Sequence, residues 1–145
     1  MTAPKRALLG FAAAVISVLT FHQAMWALLH VAGLMPPAPY PMNPTAPLGV
    51  PLIASLCFWG GLYGLVFGLA LPQLPRAPMW ALGLGLGLLA AVVGWFVVSP
   101  LKGQPMASGF VPLRMLVSIL INGFWGIGVG VILPLLMGRA AVARA

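Results

Sequence analysis

Not one aspartate or glutamate occurs in the 145 residues of this chain, and cysteine occurs once. Without carboxylates there is no glycosidase-type acid pair, no Ser-His-Asp triad and no donor set for most hard cations. Cys57 alone rules out an intrachain disulfide and a metal site built on paired thiolates. Charge is scarce altogether: 5% of the residues are charged, every one of them Lys or Arg, for a net +7. Those residues, Lys5, Arg6, Arg76, Lys102, Arg114, Arg139 and Arg144, are scattered and form no basic patch with interleaved aromatics. They read as topology signals and give no reason to expect a nucleic-acid partner.

What the chain has in abundance is apolar surface. At 62% hydrophobic residues and a mean hydropathy of +1.11, a water-facing surface of mixed charge cannot be assembled from it. We read an all-α polytopic membrane protein whose main partner is the lipid bilayer, a single domain over residues 1–145 with four transmembrane helices. Ala7 to about Leu34 far exceeds the roughly 7–15 residue apolar region of a secretory leader, so it is expected to be retained as helix 1. Prolines at 36, 37, 39, 41, 44, 47 and 51 break the next stretch. They favour an extended outer loop over 35–50, lying as a semi-rigid cap on the membrane face. Helix 2 follows at about 51–71, with Pro51 in its first turn. Helix 3 is placed at about 79–99 and helix 4 at about 112–137, where Pro134 starts termination or makes a kink.

Glycines mark the packing faces. Gly60, Gly64 and Gly68 stand one turn apart on helix 2, Gly83 and Gly87 on helix 3, and Asn122, Gly126 and Gly130 on helix 4. Each row strips a groove that lets another helix come close. At an offset of 62, Gly61, Tyr63, Gly64, Gly68, Leu71 and Pro72 fall on Gly123, Trp125, Gly126, Gly130, Leu133 and Pro134. This suggests two like-oriented hairpins related by a pseudo-twofold axis along the membrane normal. Chance resemblance between glycine-rich apolar helices is the alternative. Helices 1 and 3 correspond only through their Ala-Ala-Val patches.

The polar residues are few enough to follow individually. At about 100° per residue, His22, Gln23, Trp26 and His30 share a sector roughly 100° wide on helix 1. A stripe of that kind is expected to face other helices or a wet cavity. His22 and Asn122 both fall near the middle of their helices, which makes a midplane contact of His22 or Gln23 with Asn122 feasible. It reads either as interhelical glue or as a ligand or proton site. Two histidines about 12 Å apart along one helix cannot both ligate one haem, so a haem or pigment on His22 or His30 would need a ligand from another chain. His30, Lys102, Gln104 and Arg114 are expected to gather at the outer boundary, near Tyr40 and Asn43. There they would hold an anion or an anionic lipid headgroup, or simply anchor the interface.

An N-terminus on the cytoplasmic side places Lys5, Arg6, Arg76, Arg139 and Arg144 inside and only Lys102 and Arg114 outside, a usable positive-inside bias. Both termini are then cytoplasmic. The segments Thr20-Phe21-His22-Gln23, Trp26 to His30, Phe58 to Gly64 and Pro100 to Pro105 resemble those of a group of short, uncharacterised bacterial membrane proteins. That resemblance implies a compact four-helix protein of the inner membrane and no particular activity. With His22 and His30 as the only general bases, and no nucleophile at a recognisable spacing from either, an enzyme is not expected. The leading reading is an accessory subunit of a larger membrane complex or a self-associating bundle, because three glycine-grooved helices look too many for so small a chain to satisfy internally. The alternative is a small transporter or channel for an anion or lipid-like solute, using the midplane His/Asn site and the outer basic cluster.

Overall fold

The computed structural model describes residues 1–138. Among these residues four helices are long and apolar enough to cross a membrane: α1 over Ala3–Val31, α2 over Leu52–Gln73, α3 over Met79–Leu101 and α4 over Pro112–Met137. Arg139 and Arg144, counted above on the inner side, lie outside the described residues.

Proline sets the starts. Pro4 and Pro112 occupy first-turn positions, where the missing N–H costs nothing. Taking in Pro4 carries α1 back through Lys5 and Arg6, several residues earlier than expected. Pro51 and Pro78, at ψ of 138° and 137°, hold the chain extended just before α2 and α3. Pro51 therefore precedes α2 instead of opening it. The outer ends of α1 and α3 close alike. Gly33 donates to the His30 carbonyl and Leu34 to that of Leu29, while Gly103 donates to Pro100 and Gln104 to Ser99. With Gly33 and Gly103 at φ of 73° and 67°, each is a Schellman ending that needs a residue tolerant of positive φ. Pro134 does not stop α4, which runs on to Met137.

The outer loop contains a feature the proline pattern hides. Pro44–Thr45 (β1) pairs antiparallel with Val50–Pro51 (β2), Thr45 facing Val50. The Thr45 hydroxyl also donates to the Val50 carbonyl. Prolines fit here because so short a hairpin has edge positions whose N–H is not required.

α1 packs against α2, α3 against α4, and α1 against α4, while α2 and α3 scarcely meet. The core draws on all four helices, through Ala14, Val18, Phe67, Leu71, Leu86, Trp125, Val129 and Leu133. Both pairs are antiparallel and meet backbone on backbone. A Cβ on Gly64 would run into the Gly10 carbonyl, and one on Gly68 into that of Arg6; on Gly126 and Gly130 the obstacles are the Gly83 and Met79 carbonyls. Gly10 and Arg6 correspond to Gly83 and Met79 at a constant offset of 73, and their partners correspond at 62. The two seams therefore repeat one contact pattern. Gly87 sits under the Asn122 carbonyl, and Gly60 faces Val18 and Trp125. All seven glycines singled out in the sequence are thus met by the chain's own atoms. The expectation that they exceed what the chain can satisfy is corrected: each groove has a partner helix within the same molecule.

Replacing Gly64 or Gly126 by Val is predicted to cost about 1–3 kcal/mol, since backbone cannot move aside for the new side chain. Gly85→Ala, at a site with nothing within 4 Å, should stay within about 0.5 kcal/mol of the parent. Unfolding in mixed detergent micelles measures both.

Candidate functional site

The first half of α1 buries Gly10, Ala13, Ala14 and Ser17. An unbroken α-helix with that face would go on to bury Phe21, Ala24 and Leu28. Instead Ala24 is exposed and Leu28 is 62% exposed, while His22, Gln23, Trp26 and Leu29 are buried. The cause is a π turn over Val18–His22, which inserts a residue into the helical repeat and rotates everything beyond it. That rotation brings the polar stripe inward.

Once inside, the stripe binds the outer loop, which folds back along α1. The Tyr40 N–H donates to Gln23 Oε1 at 2.6 Å, so Gln23 must turn its amide nitrogen to His22 Nδ1, 3.2 Å away. His22 then accepts on Nδ1 and carries its proton on Nε2. Trp26 Nε1 donates to the Pro37 carbonyl at 2.9 Å, and His30 Nδ1 lies 2.9 Å from the Met35 carbonyl, which makes that nitrogen the protonated one. The Tyr40 hydroxyl donates to the Leu19 carbonyl, inside the π turn, at 2.8 Å. Tyr40 adopts φ of 55°, a conformation costly for an aromatic residue and held here by its bonds at both ends. The His22 and Trp26 rings lie 5.9 Å apart, tilted by 44°.

The expected midplane contact is not made. Asn122 Nδ2 donates to the Ser118 carbonyl one turn back in its own helix, at 2.9 Å. Two causes combine. Asn122 stands on the α3 side of α4, over Gly87, and the π turn aims His22 and Gln23 at the loop. His22 also lies about two-thirds of the way along a helix that starts at Ala3, past its middle toward the outer end. The polar contact between α1 and α4 is a different one: Ser17 Oγ donates to the Trp125 carbonyl at 2.6 Å, and Trp125 Nε1 donates to the Ala14 carbonyl at 3.1 Å. Ser17 is the only hydroxyl between Ala7 and Leu19, a signal that could have identified it.

The residues of the expected outer cluster stand apart in their hydrogen bonding. Lys102, Gln104 and Arg114 are exposed, and His30 is engaged with Met35. Among the described residues no hydrogen bond joins any of these four to another; Lys and Arg carry donors only, so an anion would have to join them. Among the described residues no three His, Cys, Asp or Glu side chains come together. What the stripe does form is an internal fastening of loop to helix. No protein-family model matches the chain, and no curated protein or solved structure matches it significantly.

Gln23→Ala should leave the Tyr40 N–H and His22 Nδ1 unpaired, at a cost of about 1–3 kcal/mol. Faster hydrogen exchange across residues 36–42, with exchange in α3 unchanged, is the expected readout; Gln104→Ala should leave both alone.

Proposed function

We propose that the chain is a non-enzymatic integral membrane protein that acts by association, as an accessory subunit of a larger membrane complex or with further copies of itself. The observation that supports this best is the outer loop. Gln23, Trp26 and His30 fasten it to α1, yet Tyr40, Met42 and Leu48 stay 52%, 67% and 83% exposed. A tether needs no such anchoring. Exposed apolar side chains held in a fixed arrangement suit a docking surface, because little ordering entropy is left to lose on contact. The glycine grooves, filled from within, lend this reading no support.

The repeated seams favour two like-oriented hairpins, α1 with α2 and α3 with α4, related by a pseudo-twofold along the membrane normal. Lys5, Arg6 and Arg76 then face the cytoplasm, and Lys102 and Arg114 the periplasm. Both termini are cytoplasmic in this arrangement. A transporter would need a wet path between the hairpins. Where α1 meets α4 the space is taken by Ala14, Ser17, Val18 and Trp125, none more than 3% exposed, so no observation favours that alternative.

Native mass spectrometry of the gently extracted protein tests the proposal. A second copy or a different subunit should co-purify and be lost when Met42→Glu and Leu48→Glu are combined, with thermal stability unchanged. A lone monomer from the parent chain would contradict it.

A further inference from the structure

Where α2 hands over to α3, a cavity of about 190 Å³ opens between the feet of α2, α3 and α4. Leu71, Leu74, Met79, Leu82 and Met137 give it an apolar wall, and among the described residues Arg76 is the one charged side chain that lines it. Arg76 is exposed and stands in the connection that follows the Leu71–Gln73 turn. The sequence contains no Asp or Glu, so no carboxylate side chain of this chain can neutralise it. The cavity also lies at the end of the molecule that bears Lys5 and Arg6, since the Arg6 carbonyl packs on Gly68, one turn before Leu71. A guanidinium at the rim of an apolar recess asks for a ligand with an anionic head and a hydrocarbon body.

We propose that this recess binds one anionic phospholipid of the surrounding leaflet, its phosphate on Arg76 and the start of an acyl chain against Leu74, Leu82 and Met137. Charge complementarity decides between lipids: a guanidinium pairs a phosphate well, and an anionic headgroup keeps its net charge where a zwitterionic one cancels it. A free phosphate would leave the apolar wall unused. The proposal rests on the chain residing in a bilayer and is independent of what the outer loop docks against.

The full chain, delipidated in detergent, is titrated with phosphatidylglycerol and with phosphatidylcholine of the same acyl chains, and bound lipid is counted by native mass spectrometry. Phosphatidylglycerol should bind more tightly; Arg76→Gln should weaken it about fivefold, and Leu82→Trp, which fills the recess, should also weaken it. Lys102→Gln, at the opposite end, should leave it unchanged. Equal binding of the two lipids, retained affinity in Arg76→Gln, or displacement of phosphatidylglycerol by inorganic phosphate alone would overturn the site. The fraction of chain recovered in lipid nanodiscs reports residence in a bilayer separately, so failure of the site and failure of the membrane reading give different results.

Discussion

Two helices whose backbones touch leave no space for a Cβ between them, and that restriction governs this molecule twice. In lipid, apolar side chains gain nothing by leaving one hydrocarbon surface for another. Helix association then depends on close packing and on interhelical hydrogen bonds, each of the latter worth about 1 kcal/mol. Gly10 against Gly64, and Gly83 against Gly126, supply the close packing. The paired bonds of Ser17 and Trp125 supply the second ingredient where the two halves join. The low burial of α2 and α3, 22% and 28% against 39% and 44% for α1 and α4, follows from the same arrangement: the inner helices serve two neighbours each and the outer ones serve one.

The seams are repeated, but the outer ends of the two halves differ. Beyond the π turn of α1 the helix continues through Val31 and receives a loop rich in proline; α3 has its own π turn at Gly94–Val98 and stops soon after, at Leu101. The extra length of α1 carries Gln23, Trp26 and His30, and these are the groups that fasten the loop. A shared frame with one elaborated end explains why, among the described residues, all the buried polar side chains, Ser17, His22 and Gln23, belong to α1.

The four spans were legible because hydropathy and length are summed over many residues, and proline punctuates their ends. Glycine spacing announced the faces, but not which helix would fill them. A constant 3.6-residue period passes silently over a π turn, since Val18 to His22 contain neither glycine nor proline to mark it. The stripe was thus found as a set of residues and misdirected as a site: Gln23 meets Tyr40 and not Asn122. Asn122 looks functional through isolation in an apolar helix, yet its amide nitrogen donates one turn back to the Ser118 carbonyl. The hairpin of Pro44–Thr45 and Val50–Pro51 went unread because proline argues against strands in general and fails to do so only at edges.

The account turns on α2 closing its glycine face onto α1 of the same molecule. A Cβ built on Gly60 would come 2.9 Å from Cγ2 of Val18, so cysteines at these two positions would bring their sulfurs within bonding reach. In a chain carrying Cys57→Ser, Val18→Cys and Gly60→Cys, mild oxidation in the membrane should give a disulfide within one chain, seen as a faster-migrating monomer on a non-reducing gel. Cross-linked dimers, or free thiols throughout, would contradict it.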